Sequence, residues 1–190
     1  MEVWPADQTV FQLVDKVKAK HHPRLTDANI AVSIADNKAF VNDRFNWGKT
    51  SKFSPSAKIW HPDDKRYDFL ISVSADAWNI LTEVQREAYI DLRLSCMQLD
   101  YEPEVIEENG KKKPVKDKYG RKVYTTTPKL DKNGNIKWKV VPPDIYVITD
   151  NVSRYGLWCR DVIEFAQVVK SVKSEVKIEE IHTDDPFHEI

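Results

Sequence analysis

Few side chains in this sequence are of types that do chemistry, and their spacing narrows what that chemistry is. There are two cysteines, Cys96 and Cys159, far apart in the chain. Two thiolates and a distal His make a sound zinc set, but structural zinc sites usually show Cys-x-x-Cys spacing, which is absent. The competing reading is a pair of buried free thiols. His21 and His22 are adjacent, and neighbours on coil point apart, so they read as a solvated helix end before they read as a metal pair. No Gly-x-Ser-x-Gly elbow supports a hydrolase triad, and the five glycines form no phosphate loop.

The densest charge is the run Lys111, Lys112, Lys113, Lys116, Lys118, Arg121 and Lys122, with Tyr119 inside it and Tyr124 and Trp138 beyond. Cations for phosphates and rings for stacking are the ingredients of a nucleic-acid arm. An acidic run, Glu102, Glu104, Glu107 and Glu108, lies directly before it and competes for the same cations. Three readings stay open: a solvated loop, an arm that binds a partner, and, behind these, a nucleic-acid arm.

The elements that must position these residues follow from period and capping. Val10, Phe11, Val14 and Val17 behind Asp7-Gln8-Thr9 predict a helix to about Lys20. Residues 29 to 34 alternate as a strand, and a short strand is expected around Ala39-Phe40-Val41. The stretch from Arg44 to Asp64 carries Phe45, Trp47, Phe53, Trp60 and His61, read as aromatics plugging a sheet before a base-stacking surface. Ser74 caps a turn carrying Trp78. Thr82 with Gln85 is a capping-box pair opening the central helix, in which Val84, Ala88, Leu92 and Cys96 with Tyr89 form an apolar stripe and Asp91 sits between the faces. Residues 123 to 127 and 136 to 140 read as strands around the Asn133-Gly134 turn. Ile145 to Ile148 read as a short strand. Leu157, Trp158, Val162, Phe165, Ala166, Val168 and Val169 define a closing helix.

Several of these segments also carry a resemblance. The strand Tyr67 to Val73, the turn Ser74-Ala75-Asp76-Ala77-Trp78, the helix Leu81 with Gln85-Arg86-Glu87-Ala88-Tyr89-Ile90-Asp91, and Asp161-Val162-Ile163-Glu164-Phe165 resemble the phage metallopeptidase family. His22-Pro23-Arg24-Leu25 and Trp47-Gly48-Lys49 match it too, so the likeness spans roughly residues 8 to 172. It implies a zincin-like domain in which two His one helical turn apart hold zinc beside a general-base Glu. On this chain the first His position is Leu92, the Glu position Arg93, the second His position Cys96, and the third-ligand position Arg160. Leu has no donor atom and Arg stays protonated, so the resemblance implies a scaffold that has lost its metal site. Arg93 and Arg160 are expected to pair with Asp91 or Glu164 instead.

The expected architecture is α+β: a small mixed or antiparallel sheet, a central amphipathic helix, N- and C-terminal helices and an inserted β-hairpin. One domain over 1–174 is expected, interrupted by a charged hairpin at 102–150 and followed by an acidic tail, 175–190. The 190 residues suffice for a real core, and a net charge of −1 gives no global pull toward nucleic acid or membrane. No membrane span or signal peptide is read, which suggests the cytoplasm, that of the host cell for a phage-encoded chain. No cofactor is expected. The function this implies is non-catalytic binding of a host or phage protein, as an inhibitor or host-takeover, anti-defence factor. The alternatives are an active zinc metallopeptidase with unusual ligands and a nucleic-acid-binding protein using the basic hairpin.

Overall fold

The computed structural model describes residues 2–36, 40–41, 44–45, 47–54, 66–108 and 110–175, with backbone alone at 40–41, 44–45 and 172–175. Trp60, His61, Asn109, the ring of Phe45 and the tail beyond 175 lie outside the described residues. The elements in order are β1 (Val3–Pro5), α1 (Gln8–His21), a 3-10 turn (Pro23–Leu25), β2 (Ile30–Ala35), β3 (Phe40–Val41), β4 (Arg44–Phe45), β5 (Gly48–Lys52), β6 (Phe69–Ser74), α2 (Ala75–Ile80) and α3 (Glu83–Ser95). A run of short strands follows: β7 (Met97–Leu99), β8 (Tyr101–Pro103), β9 (Val105–Glu108), β10 (Lys111–Pro114), β11 (Tyr124–Pro128) and β12 (Trp138–Val140). Two helices, α4 (Ile145–Tyr155) and α5 (Arg160–Glu175), close the chain.

The fold is α+β. Its main sheet is mixed, in the order β1-β2-β6-β5, with β2 and β6 parallel and both outer pairs antiparallel. Strand alternation gives this sheet two different faces. Ile30, Val32, Phe69, Ile71 and Val73 point to the helices and join one core with Val10, Val14 and Val17 of α1 and Ala88, Tyr89 and Leu94 of α3. Ala31 and Leu70 point the other way, under Phe53 and Tyr67.

Local chemistry explains where the helices begin. The Asp7 carboxylate accepts from the amides of Thr9 and Val10, starting α1. In α3 both halves of the capping box form: Gln85 N donates to Thr82 Oγ1 and Thr82 N to Gln85 Oε1. The expected strand at 145–148 is instead the first turn of α4. Asp144 Oδ1 accepts from Val147 N at 2.9 Å, and this cap after Pro143 overrides the β-branched composition. The expected stripe on α3 is also displaced. Val84 is 59 % exposed, and the buried residues are Ala88, Tyr89, Ile90, Asp91, Leu94 and Ser95. Leu157 and Trp158 belong to the connection before α5, not to that helix.

Residues 97 to 140 form a two-stranded arm. Its outgoing strand pairs successively with β12, β11 and β10, and two side turns bulge from the returning strand, at Asp117–Gly120 and Asp131–Gly134. The Asn133-Gly134 turn is therefore real, but it does not join paired strands: β11 pairs with β8 and β12 with β7, leaving a single Leu130–Ile136 bridge across the turn. No helix among the described residues is long and apolar enough to cross a membrane.

Candidate functional site

The site is built around Asp91, a carboxylate with no exposed surface in the middle of α3. An ion so placed needs several donors, because burial removes its hydration. Three elements supply them. His22, the residue that ends α1, meets Asp91 Oδ1 through Nε2 at 2.8 Å. From α4, Asn151 Nδ2 donates to Oδ2 at 2.8 Å, and Arg154 Nη1 donates to both oxygens at 2.9 and 2.7 Å.

The network continues outward. Asn151 Nδ2 also donates to Ala88 O, while its Oδ1 accepts from Trp158 Nε1 at 2.6 Å. Trp158 O in turn accepts from Gln85 Nε2, so the same Gln85 that caps α3 ties down the α4–α5 connection. Burial pushes the Asp91 carboxyl up, but the hydrogen bonds from His22 and Asn151 and the charges of His22 and Arg154 outweigh it and hold it below the usual carboxylate range. Two polar atoms nearby lack a hydrogen-bond partner among the described residues, His22 Nδ1 and Tyr155 Oη. Burial first, then Asp91 and Glu87, raises the Tyr155 phenol to about 12.

His22 thus corrects the reading of His21-His22 as a solvated end: it is buried and committed to Asp91, while the His21 ring stands edge-on to Tyr155 at 6.2 Å. His22, Asn151, Arg154 and Trp158 were not singled out as one constellation by sequence reasoning. The available signal was Asp91 itself, an acid between Ile90 and Leu94 on an apolar helix, which cannot be buried without donors.

The four positions matched to zinc chemistry lie at the C-terminal half of α3 and the start of α5. Leu92 packs against the core. The Arg93 guanidinium lies 4.9 Å from the centre of the Tyr89 ring, and its Nε is buried without a hydrogen-bond partner among the described residues. Arg93 does not pair with Asp91, whose oxygens are taken by Arg154. Arg160 does pair with Glu164, at 2.5 Å on the exposed side of α5. Cys96 is buried and its thiol donates to Leu92 O at 3.3 Å. Cys159 is buried as well. Burial raises both thiols, with Arg93 opposing it at Cys96 and the Val162 amide opposing it at Cys159, so neither is readily a thiolate.

A divalent ion needs several neutral-nitrogen, thiolate or carboxylate donors converging on one point. At these positions stand a hydrocarbon, two guanidiniums and a protonated thiol, which do not fit one. Among the described residues no group of three or more His, Cys, Asp or Glu side chains is placed to hold a metal.

The arm residues are divided by the fold. Trp138 is only 6 % exposed and packs edge-to-face on Phe69 at 5.6 Å, so it is a core residue and not a stacking platform. Burying a ring of this size stabilises by about 2–3 kcal/mol, which pins the base of the arm to the sheet. Lys111 and Lys112 stand opposite Glu108 and Glu107 across β9 and β10, and Lys113 Nζ reaches Glu108 at 2.6 Å. The acidic and basic runs thus meet across β9 and β10, with Lys113–Glu108 the one ion pair between them among the described residues. Lys116 and Lys122 pair through their backbones in an isolated antiparallel bridge, and between them Tyr119 is flanked by Lys118 and Arg121, with Arg121 also bound to Asp117 at 2.8 Å. Tyr124 is exposed under Lys139.

A mixed sheet covered by α1 and α3, with a polar knot between α1, α3 and α4 and a projecting arm, defines a small α+β domain. The family model described as "Putative phage metallopeptidase" matches residues 3–181, and the chain belongs to that family. No curated protein and no solved structure matches the chain.

Proposed function

We propose that this member of the family is not a peptidase and acts by binding a host or phage protein, as an inhibitor or a host-takeover, anti-defence factor. The observation that supports this reading most directly is at the catalytic positions. Leu92, partly buried, packs against the core and the Arg93 guanidinium rests on Tyr89. Restoring a metal there would require replacing residues the core already uses. The binding surface is the arm, whose exposed Tyr119, set between Lys118 and Arg121, presents a ring and cations on a strand base held by Trp138. The acidic run on β9, which faces the lysines of β10, competes with phosphate for these cations, which favours a protein partner over nucleic acid.

Two measurements test this. Protein dialysed against Zn2+ and then metal-free buffer is expected to retain no stoichiometric zinc and to cleave no peptide; chelator-sensitive cleavage lost on Cys96→Ser would establish the peptidase instead. For the arm, residues 105–122 are replaced by an Asn-Gly turn, since Glu104 N donates to Val123 O and the two strands can close there. This keeps Trp138 in place, so the shortened chain is expected to unfold at nearly the native temperature while losing the partners captured by the full chain. Equal capture by both would remove the arm from the proposal.

A further inference from the structure

Between α4 and α5 runs a groove of about 600 Å3 with almost wholly hydrocarbon walls. Ile145, Ile148 and Val152 line it from α4; Val162, Phe165 and Val169 line it from α5. Phe165 is 56 % exposed, and Ile163 and Val168 extend the apolar surface around α5. A contiguous patch of this kind on a single chain marks a docking surface.

The lining has two charged residues, Asp161 and Lys170. They lie nine positions apart on α5, about 13.5 Å along the axis, with Phe165 and Ala166 midway. This is a self-complementary pattern. A second α5 laid antiparallel across the groove brings Asp161 to the partner's Lys170 and Lys170 to the partner's Asp161. A parallel arrangement would oppose like charges at both ends.

We propose that the occupant is a second copy of this chain, with the two α5 helices antiparallel about a two-fold axis near Phe165 and Ala166. A helix pressed into an apolar groove is a recurrent recognition geometry, and here each copy supplies both helix and groove. The segment 176–190 is the rival occupant. Its Glu179, Glu180, Asp184 and Asp185 would set negative charge beside Asp161 with one lysine to meet it.

The test is the mass of the full chain in solution by sedimentation equilibrium. The native chain is expected at twice 22.1 kDa, and Phe165→Glu at the monomer mass with an unchanged circular dichroism spectrum. Lys170→Glu is expected to weaken the dimer by about tenfold or more, and Asp161→Lys combined with Lys170→Glu to recover most of that loss. Ile181→Glu with Phe187→Glu is expected to leave the dimer intact. A native chain that stays monomeric, a Phe165→Glu chain that still dimerises, a double charge exchange no better than the single one, or a dimer lost on the tail substitutions would each overturn it.

Discussion

Asp91→Ala is expected to destabilise the domain by about 3–5 kcal/mol, read as a fall in the urea midpoint at unchanged slope. The magnitude comes from what the substitution leaves behind. His22 Nε2, Asn151 Nδ2 and Arg154 Nη1 all lose an acceptor, and the first two are buried. Arg154 keeps 30 % of its side-chain surface and can turn to water, which places the effect toward the lower end of that range. Asp91→Asn retains the shape but puts a donor where Arg154 and Asn151 already donate, so it should recover little. The pH dependence has a definite sign. A carboxyl held below its ordinary value contributes stability that is complete above the unfolded value, about 3.9, and is lost as pH falls through the lower folded value. The difference between native and Asp91→Ala proteins should shrink as pH falls below about 4. A difference that stays constant into acid would mean that the ionised network contributes nothing.

The same network shows what a sequence can and cannot reveal. Asp7 and the Thr82–Gln85 box were readable because a cap and its amide are two or three residues apart. Arg160–Glu164 was readable for the same reason, being one helical turn. Asp91 was visible as an acid on an amphipathic helix, but its partners lie 60 to 69 positions away, on α1 and α4. Nothing in the local pattern distinguishes Arg154 from Arg93 as the cation that reaches it; that choice is made by the packing of α4 on α3. α4 itself was hidden, because Ile145 to Ile148 has strand composition and the Asp144 cap looks like one more loop acid after two prolines. Trp138 was misplaced for a related reason. An alternating segment beside a lysine run looks like a surface hairpin until the register of β12 on β7 carries its ring onto Phe69. The assignment of Leu92, Arg93 and Cys96 to metal-ligand positions comes from the resemblance in spacing alone, not from any tertiary contact.

Gly48→Ala is expected to be at least as damaging as loss of Asp91, about 4 kcal/mol or more, or a fall in melting temperature of roughly 8–16 °C for a chain of this size. Two effects coincide at this residue. Its φ of +100° is a conformation that side chains avoid. In addition, a Cβ would stand 1.9 Å from Ser72 O and 2.9 Å from Val73 Cα, backbone atoms of the neighbouring strand that cannot swing aside. Relief requires β5 to move off β6 at the Gly48–Val73 pair. That shift would carry Trp47 with it, and Trp47 O accepts from Tyr89 Oη at 2.8 Å while its ring lies against Trp158. The damage would therefore spread from the sheet edge into the α3 core and the connection that holds Asn151. Gly134→Ala separates the two effects, since φ is +78° there and a Cβ meets nothing within 4 Å. It should cost only about 1 kcal/mol, from backbone conformation alone. Equal melting temperatures for the two variants would show that β5 is free to slide, and that Trp47 is not held between Tyr89 and Trp158 by the strand that carries it.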